Sequence, residues 1–243
     1  MHARGVRRTR AAEEEESYFI SMADMMVGLL FVFIILLMYF ALQFQQKSKA
    51  LSDAGEARAQ LLKELQADLA RHNLKVEIDT ATGVLRLPAA ILFASGSYAL
   101  SVQGKQAVGL VANSMATVLP CYTQPRRVRG CAGTPHSIDA IFIEGHTDTD
   151  RLSGAGSLSD NLDLSALRAT NTYRAMQQAA PSVGDLLNRD SRPILSVSGY
   201  GADRPVASGG DEAAKSRNRR IDLRFLMETP KSDALTNLLA DDA

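Results

Sequence analysis

Cysteine is scarce in this chain, with two in 243 residues, which excludes a disulfide scaffold and any cysteine-rich zinc module. Neither sign of charge is in excess, at 27 Lys+Arg against 27 Asp+Glu, which argues against a general nucleic-acid binder. The sequence holds no Walker motif and no nucleophile–base arrangement, so enzymatic activity is not expected. His146-Thr147-Asp148 could suggest a metal pair, but no third ligand lies at a plausible spacing, and His146 is expected to be a structural hydrogen-bonding residue. Apolar residues at 46% and charged residues at 22% exclude global disorder. That average hides a split. From Met25 to Gln46 there are 22 residues without a charge, the length of a membrane span rather than a core helix. The remainder suffices for a linker and one hydrophobic core.

A hydrocarbon layer of ~30 Å needs about 20 helical residues, so Ile20 to Tyr39 is expected to cross it, with Tyr18 and Tyr39 as interfacial aromatics. The run is longer than a signal-peptide core. It is followed by Gln43, Gln45, Gln46 and Lys47 rather than a small-residue cleavage site, which predicts an uncleaved anchor. Basic residues are balanced across the span: Arg4, Arg7, Arg8 and Arg10 before it, Lys47, Lys49, Arg58 and Lys63 after it. The short tail is assigned to the cytoplasm and the C-terminal part to the periplasm. The expected organisation is a cytoplasmic tail over 1–17, the span over 18–44, a helical stalk over 45–73, a folded domain over 74–228 and a flexible tail over 229–243.

In the stalk, Leu51, Ala54, Leu61, Leu62, Leu65 and Leu69 form an apolar stripe at helical spacing. The stripe suits either a short coiled coil with a second copy or packing on the folded domain. Beyond Leu74 the pattern changes to short strands and helices. Strands are expected at 83–88, 137–144, 194–198 and 220–225, and helices at 105–119 and 161–179. Their alternation predicts an α/β sandwich with one mixed sheet. Cys121 and Cys131 bracket the segment YTQPRRVRG. They are read as a disulfide staple, which would place the domain in an oxidising compartment, or else as two unrelated thiols.

Asp24 is the one carboxylate within the span. A charge at such depth costs at least ~2.5 kcal/mol and usually faces protein or a water path. Ser17, Ser21, Asp24 and Gly28 recur at spacings of 4, 3 and 4, a polar, small stripe on one helix side. The plainer alternative is a flanking carboxylate solvated at the headgroups. SMADMMVGLLFVF resembles the start of the transmembrane helix of MotB-type stator subunits, in which an Ala-Asp dipeptide carries the ion-coupling aspartate. The resemblance implies that Asp24 takes up and releases a proton (or binds sodium) inside a ring of partner subunits. No other cofactor is expected.

Four further motifs occur in order: Ile143-Glu144-Gly145-His146-Thr147-Asp148, then Asn161-Leu162-Asp163-Leu164-Ser165-Ala166-Leu167-Arg168, then Gly199-Tyr200-Gly201-Ala202-Asp203-Arg204-Pro205, then Arg217-Asn218-Arg219-Arg220-Ile221. With Leu92 to Ser97 upstream they resemble the OmpA-like peptidoglycan-binding domain, over roughly Thr82 to Met227. The resemblance implies that Asp148 and Arg168 read the ammonium and carboxylates of diaminopimelate in a stem peptide. A carboxylate and a planar guanidinium fork are the right groups for that ligand. Thr147, Asn161 and Leu164 would line the site, and Arg219 or Arg220 would add positive charge. The alternative is an ordinary Asp148–Arg168 ion pair within the domain. The segment 150–160 looks longer than the family's loop, and Ala214-Lys215 replaces its Gly-Arg pair.

Together the two resemblances imply a homodimeric, wall-anchored stator subunit of the inner membrane, associated with a MotA-like multi-span partner in a 5:2 complex, with no nucleic-acid partner. The compact stalk looks more like the B subunit of the Zorya anti-phage defence system than like a flagellar stator. A TolR/ExbD-like energiser and a passive membrane-to-wall anchor are the other readings.

Overall fold

The computed structural model describes residues 5–94, 96–124, 136–150 and 158–228, with side chains from residue 18 onward. The chain divides into two units, Met1–Leu51 and Ser52–Ala243.

The first unit is helical and contains the N-terminal part of α1 (Gly5–Arg71). Its mean hydropathy reaches 2.8 over an 18-residue window, long and apolar enough to cross a membrane. From Tyr18 to Leu42 every large apolar side chain is exposed, as are Ser21, Asp24 and Gly28. Exposure of this kind is unfavourable in water, at about 25 cal/mol per Å² of apolar surface, and favourable in lipid.

The second unit is built on a five-stranded mixed sheet. Its strands are β1 (Glu77–Asp79), β2 (Val84–Pro88), β3 (Ile138–His146), β4 (Leu195–Gly199) and β5 (Arg220–Met227), in the spatial order β1-β2-β5-β3-β4. Only β3 and β4 are parallel. Their crossover contains α4 (Asn161–Ala179) and the short α5 (Pro181–Gly184), while α2 (Ala89–Leu92) and α3 (Val102–Val118) link β2 to β3, and α6 (Glu212–Asn218) precedes β5. The expected α/β sandwich is what the chain forms. The strand alternation decides the core: Leu85 and Leu87, Ile141 and Ile143, and Ile221, Leu223 and Phe225 are buried with Val108, Val111, Met115 and Met176 of the helices. The intervening residues, among them Arg86, Glu144, His146, Asp222 and Arg224, lie on the other sheet face.

The stalk reading needs correction. Leu61, Leu62, Leu65 and Leu69 are each at most 1% exposed and belong to the domain core, so they do not form a seam with a second copy. Arg58 Nη2 donates to the Ala81 carbonyl at 2.8 Å and Gln66 Nε2 to the Val76 carbonyl at 3.1 Å, which fixes this last part of α1 against the β1 region. The stripe's spacing was compatible with both partners. Burial of four leucines, at about 2 kcal/mol each, favours the partner that is always present. The cytoplasmic and C-terminal tails assigned to 1–17 and 229–243 lie outside the described side chains and residues.

Candidate functional site

The site begins with two glycines. Gly145 of β3 and Gly199 of β4 are register partners. A Cβ on Gly145 would come within 2.0 Å of the Ser165 carbonyl oxygen, and one on Gly199 within 2.7 Å of the Ala166 amide nitrogen. Their bare backbones therefore let the first turns of α4 rest directly on the strand ends. Asp160 caps that helix, its Oδ1 accepting from the Leu162 and Asp163 amides at 2.8 and 2.9 Å. Ser165 Oγ accepts from the Gly201 amide at 2.9 Å, and the Gly201 carbonyl accepts from the Thr147 amide at 2.8 Å. Gly201 has φ +53°, a left-handed conformation suited to glycine. The chain after β3, the start of α4 and the loop after β4 are thus tied into one corner.

Asp148 projects from this corner with a side chain 12% exposed. Its Oδ2 accepts from Arg219 Nη1 at 2.6 Å and its Oδ1 from the Asp150 amide at 3.2 Å. Arg219 also pairs with Glu212, and Lys215 binds both carboxylate oxygens of Asp150 at 2.8 Å. Hydrogen bonds to Asp148 and Glu212 raise the Arg219 pKa further. Asn161 Nδ2 donates to the carbonyls of Asp148 and Asp150, at 3.2 and 2.8 Å, so it holds the Asp148 segment in place. Thr147 and Leu164 are buried, each 4% exposed, beneath this segment and in the first turn of α4.

Arg168 approaches from α4 and is 4% exposed. Its Nε donates to the Ser97 carbonyl at 2.9 Å, and its guanidinium carbon lies 5.1 Å from the Phe93 ring centroid. Burial pulls its pKa down to about 10, with Asp148 opposing the shift and Arg219 adding to it; the group is charged at neutral pH. Asp148 therefore has its ion pair with Arg219, not with Arg168. The structure brings together Thr147, Asp148, Asn161, Arg168 and Arg219. Arg220 turns to the other sheet face, where it is 3% exposed and its Nε donates to Asp222 Oδ2 at 2.8 Å.

That face holds a second cluster. His146 Nε2 is 3.8 Å from Glu144 Oε2 and 3.7 Å from Asp222 Oδ2, and the ligand atoms of all three residues lie within 4.8 Å of one another. Sequence spacing offered no third ligand beside His146; the strand pairing Glu144↔Asp222 supplies two carboxylates. The donor set does not suit a cation. Arg224 grips both oxygens of Glu144 at 2.8 Å, and Arg220 and Arg86 hold Asp222 at 2.8 and 3.2 Å. A dication would have to enter beside three guanidinium groups. Burial opposes ionisation of Glu144, yet the neighbouring His146 and the Arg224 fork together hold its carboxyl at about 2. His146 also stacks on Tyr200, with centroids 5.4 Å apart. Period-two alternation in VLRLP, IDAIFIEGH and RIDLRFLM places these charged groups on one face, a signal present in the sequence; the segment Leu92 to Ser97 was also visible as a motif, but not that Phe93 and the Ser97 carbonyl meet Arg168.

Cys121 ends the 3₁₀ turn Leu119–Cys121 and is not a free thiol. Cys131 lies outside the described residues, so the pairing stands as a proposal.

A mixed sheet with helices packed on it carries this corner of paired acids and guanidinium groups. The OmpA family profile matches residues 92–219, more than half the chain, and the chain belongs to the OmpA family. Members of this family are structural, non-catalytic proteins, and this chain is not an enzyme. Among curated relatives, the peptidoglycan-associated lipoprotein of Pseudomonas aeruginosa is 31% identical over 86 residues, 35% of this chain and 42% of that protein. Motility protein B of Bacillus subtilis is 32% identical over 97 residues, 40% of this chain and 33% of that protein. The chain thus spans less than half the length of the curated relatives it matches. A solved MotB-like protein from Desulfovibrio vulgaris shares the fold, with a TM-score of 0.53 and 22% identity over 74% of this chain and 96% of that one.

Proposed function

We propose that this chain is a peptidoglycan-anchored stator subunit of an ion-driven motor in the bacterial inner membrane. One observation carries the reading: an apolar helix with a single carboxylate, Asp24, precedes an OmpA-family domain in the same chain. The helix crosses the inner membrane once and the C-terminal domain is periplasmic. The domain grips the wall through Asp148 and Arg168, with Arg219, Thr147, Asn161 and Leu164 shaping the site and Arg220 supporting it from the opposite face. A charged side chain in lipid is retained where protein partners or water receive it, and Ser21 and Gly28 lie on its helix side as small neighbours. In this reading a dimer of the chain is surrounded by five copies of a MotA-like multi-span partner. Protonation of Asp24 changes its contacts with that ring (sodium would act through the same carboxylate), and the wall-bound domain stays still while the ring turns.

The short connection supports assignment to a Zorya-type defence motor over a flagellar one. The domain unit begins at Ser52, so little chain separates it from the apolar run. The passive-anchor reading draws on the likeness to a peptidoglycan-associated lipoprotein. Asp24→Asn separates the two, since it keeps shape and removes the titratable group. Ion flux and cellular activity are expected to vanish while the protein still co-purifies with its membrane partner. Normal flux in Asp24→Asn cells would return the chain to the passive anchors.

A further inference from the structure

The last turns of α1 bury one side in the core and leave the other open. Between these turns and the segment entering β1 lies a groove of about 410 Å³, lined by Lys63, Ala67, Ala70, Leu74, Lys75 and Val76. Gln66 ties its two walls together through the bond from Nε2 to the Val76 carbonyl at 3.1 Å. Lys63, Ala67, Ala70 and Lys75 are exposed, and Leu74 and Val76 are half-buried. The groove is therefore open among the described residues. Alanine at both 67 and 70 leaves room for larger side chains to enter, as knobs enter holes between packed helices.

The chain outside the described residues offers an occupant. Leu235, Leu238 and Leu239 recur at i, i+3 and i+4, the spacing of one helix side. Asp233, Asp241 and Asp242 flank them, against one base in the same stretch, Lys231. The groove lining has the opposite sign, with two lysines and no carboxylate. Reach is sufficient. The Glu228 amide donates to the Ser137 carbonyl and the Ile138 amide to the Tyr122 carbonyl, at 2.9 and 2.8 Å. Tyr122 Oη in turn lies 3.5 Å from Glu64 Oε2, next to Lys63. One tyrosine thus separates the end of β5 from α1, and the seven residues from Glu228 to Leu235 can span up to about 24 Å.

We propose that the segment 233–242 docks in this groove of its own chain, with its leucines over Ala67 and Ala70 and its aspartates beside Lys63 and Lys75. This interaction surface is independent of the wall-binding reading. Burial of leucine supplies the attraction, and opposite charges fix the partner. A short tether holds the segment at millimolar effective concentration, so a contact too weak between separate molecules is populated within one.

The test uses the full chain in detergent. A carbodiimide, which joins amines to carboxylates in contact, should link Lys63 or Lys75 to Asp233, Asp241 or Asp242. Mixing isotope-labelled and unlabelled protein identifies the source, and the links should be confined to chains of one label. Links between labels would assign the groove to a second copy, and no link would leave the segment undocked; either result overturns the proposal. Hydrogen exchange gives a second readout. Amides 235–239 should be protected in the parent and exchange at least ~10-fold faster in Ala67→Glu/Ala70→Glu, two exposed helix positions that tolerate glutamate. Unprotected amides in the parent, or protection that survives in the folded double variant, overturn it. Should the double variant fail to fold, the cross-links of the parent decide alone.

Discussion

Arg219 and Asp148, 71 positions apart, are joined by a 2.6 Å bond from Nη1 to Oδ2. The acceptor of the site is therefore already charge-balanced before a ligand arrives, and the partly exposed Arg219 is shared with Glu212. In the wall-binding reading proposed above, an ammonium group reaching Asp148 would join this pair and use the carboxylate's remaining lone pairs. Asp148→Ala should lower affinity for purified sacculi at least tenfold, since removing one partner of a desolvated charge pair costs ~2–5 kcal/mol. Arg219→Gln should lower it less, because Arg219 supports the carboxylate from the side. Sacculus pull-downs with melting curves on the same variants check this, and Asp148→Ala binding like the parent while folded would remove Asp148 from the site.

This pairing also shows what could be read without coordinates. HTD, LSALR and NRR pointed to Asp148, Arg168 and Arg219 or Arg220 as one candidate site, and period-two alternation located the strands to within a few residues. Partner choice was not legible. Arg219 and Arg220 are adjacent in sequence, and only the start of β5 at Arg220 decides which of them faces Asp148 and which faces Asp222. The leucine stripe at 61–69 was equally visible, but periodicity reports an apolar face and not what covers it.

The contacts of Glu144 with His146 and Arg224 predict acid sensitivity. The Glu144 carboxyl is held at about 2 against an ordinary 4.5, so its ionised form favours the folded state. That contribution is complete above the ordinary value and is lost as pH falls through the 4.5-to-2 window. The difference corresponds to about 3 kcal/mol. Glu144→Gln should be less stable at neutral pH, with a thermal midpoint that falls less steeply below pH 4.5 than the parent's. Parallel melting profiles for the two proteins in acid would refute it.

Cys121 and Cys131 should be joined in protein taken from membranes. Peptide mass spectrometry without reduction should find the cross-linked pair, and closing so short a loop contributes about 2–3 kcal/mol. Two alkylatable thiols would remove the staple and its support for an oxidising compartment.

Gly145→Ala should be severely destabilising and should also impair wall binding, because its Cβ would meet the Ser165 carbonyl oxygen at 2.0 Å and push the Arg168 helix off the sheet. A cost of ~1–3 kcal/mol or more is expected for such overpacking. Gly210→Ala, with no atom within 4 Å of its Cβ, is the matching control and should melt like the parent. Equal melting of the two variants would show that α4 yields without strain.

The leucines at 61, 62, 65 and 69 also decide where a soluble fragment can begin. A cut at the end of the helix, near residue 74, follows the boundary suggested by the sequence pattern, yet it deletes four side chains from the centre of the fold. The result would expose the part of the core that these leucines complete, and such a fragment would be expected to aggregate. A fragment beginning at Ser52 keeps the strip of helix that completes the core, and with it the segment through which any pull on the anchor enters the folded domain.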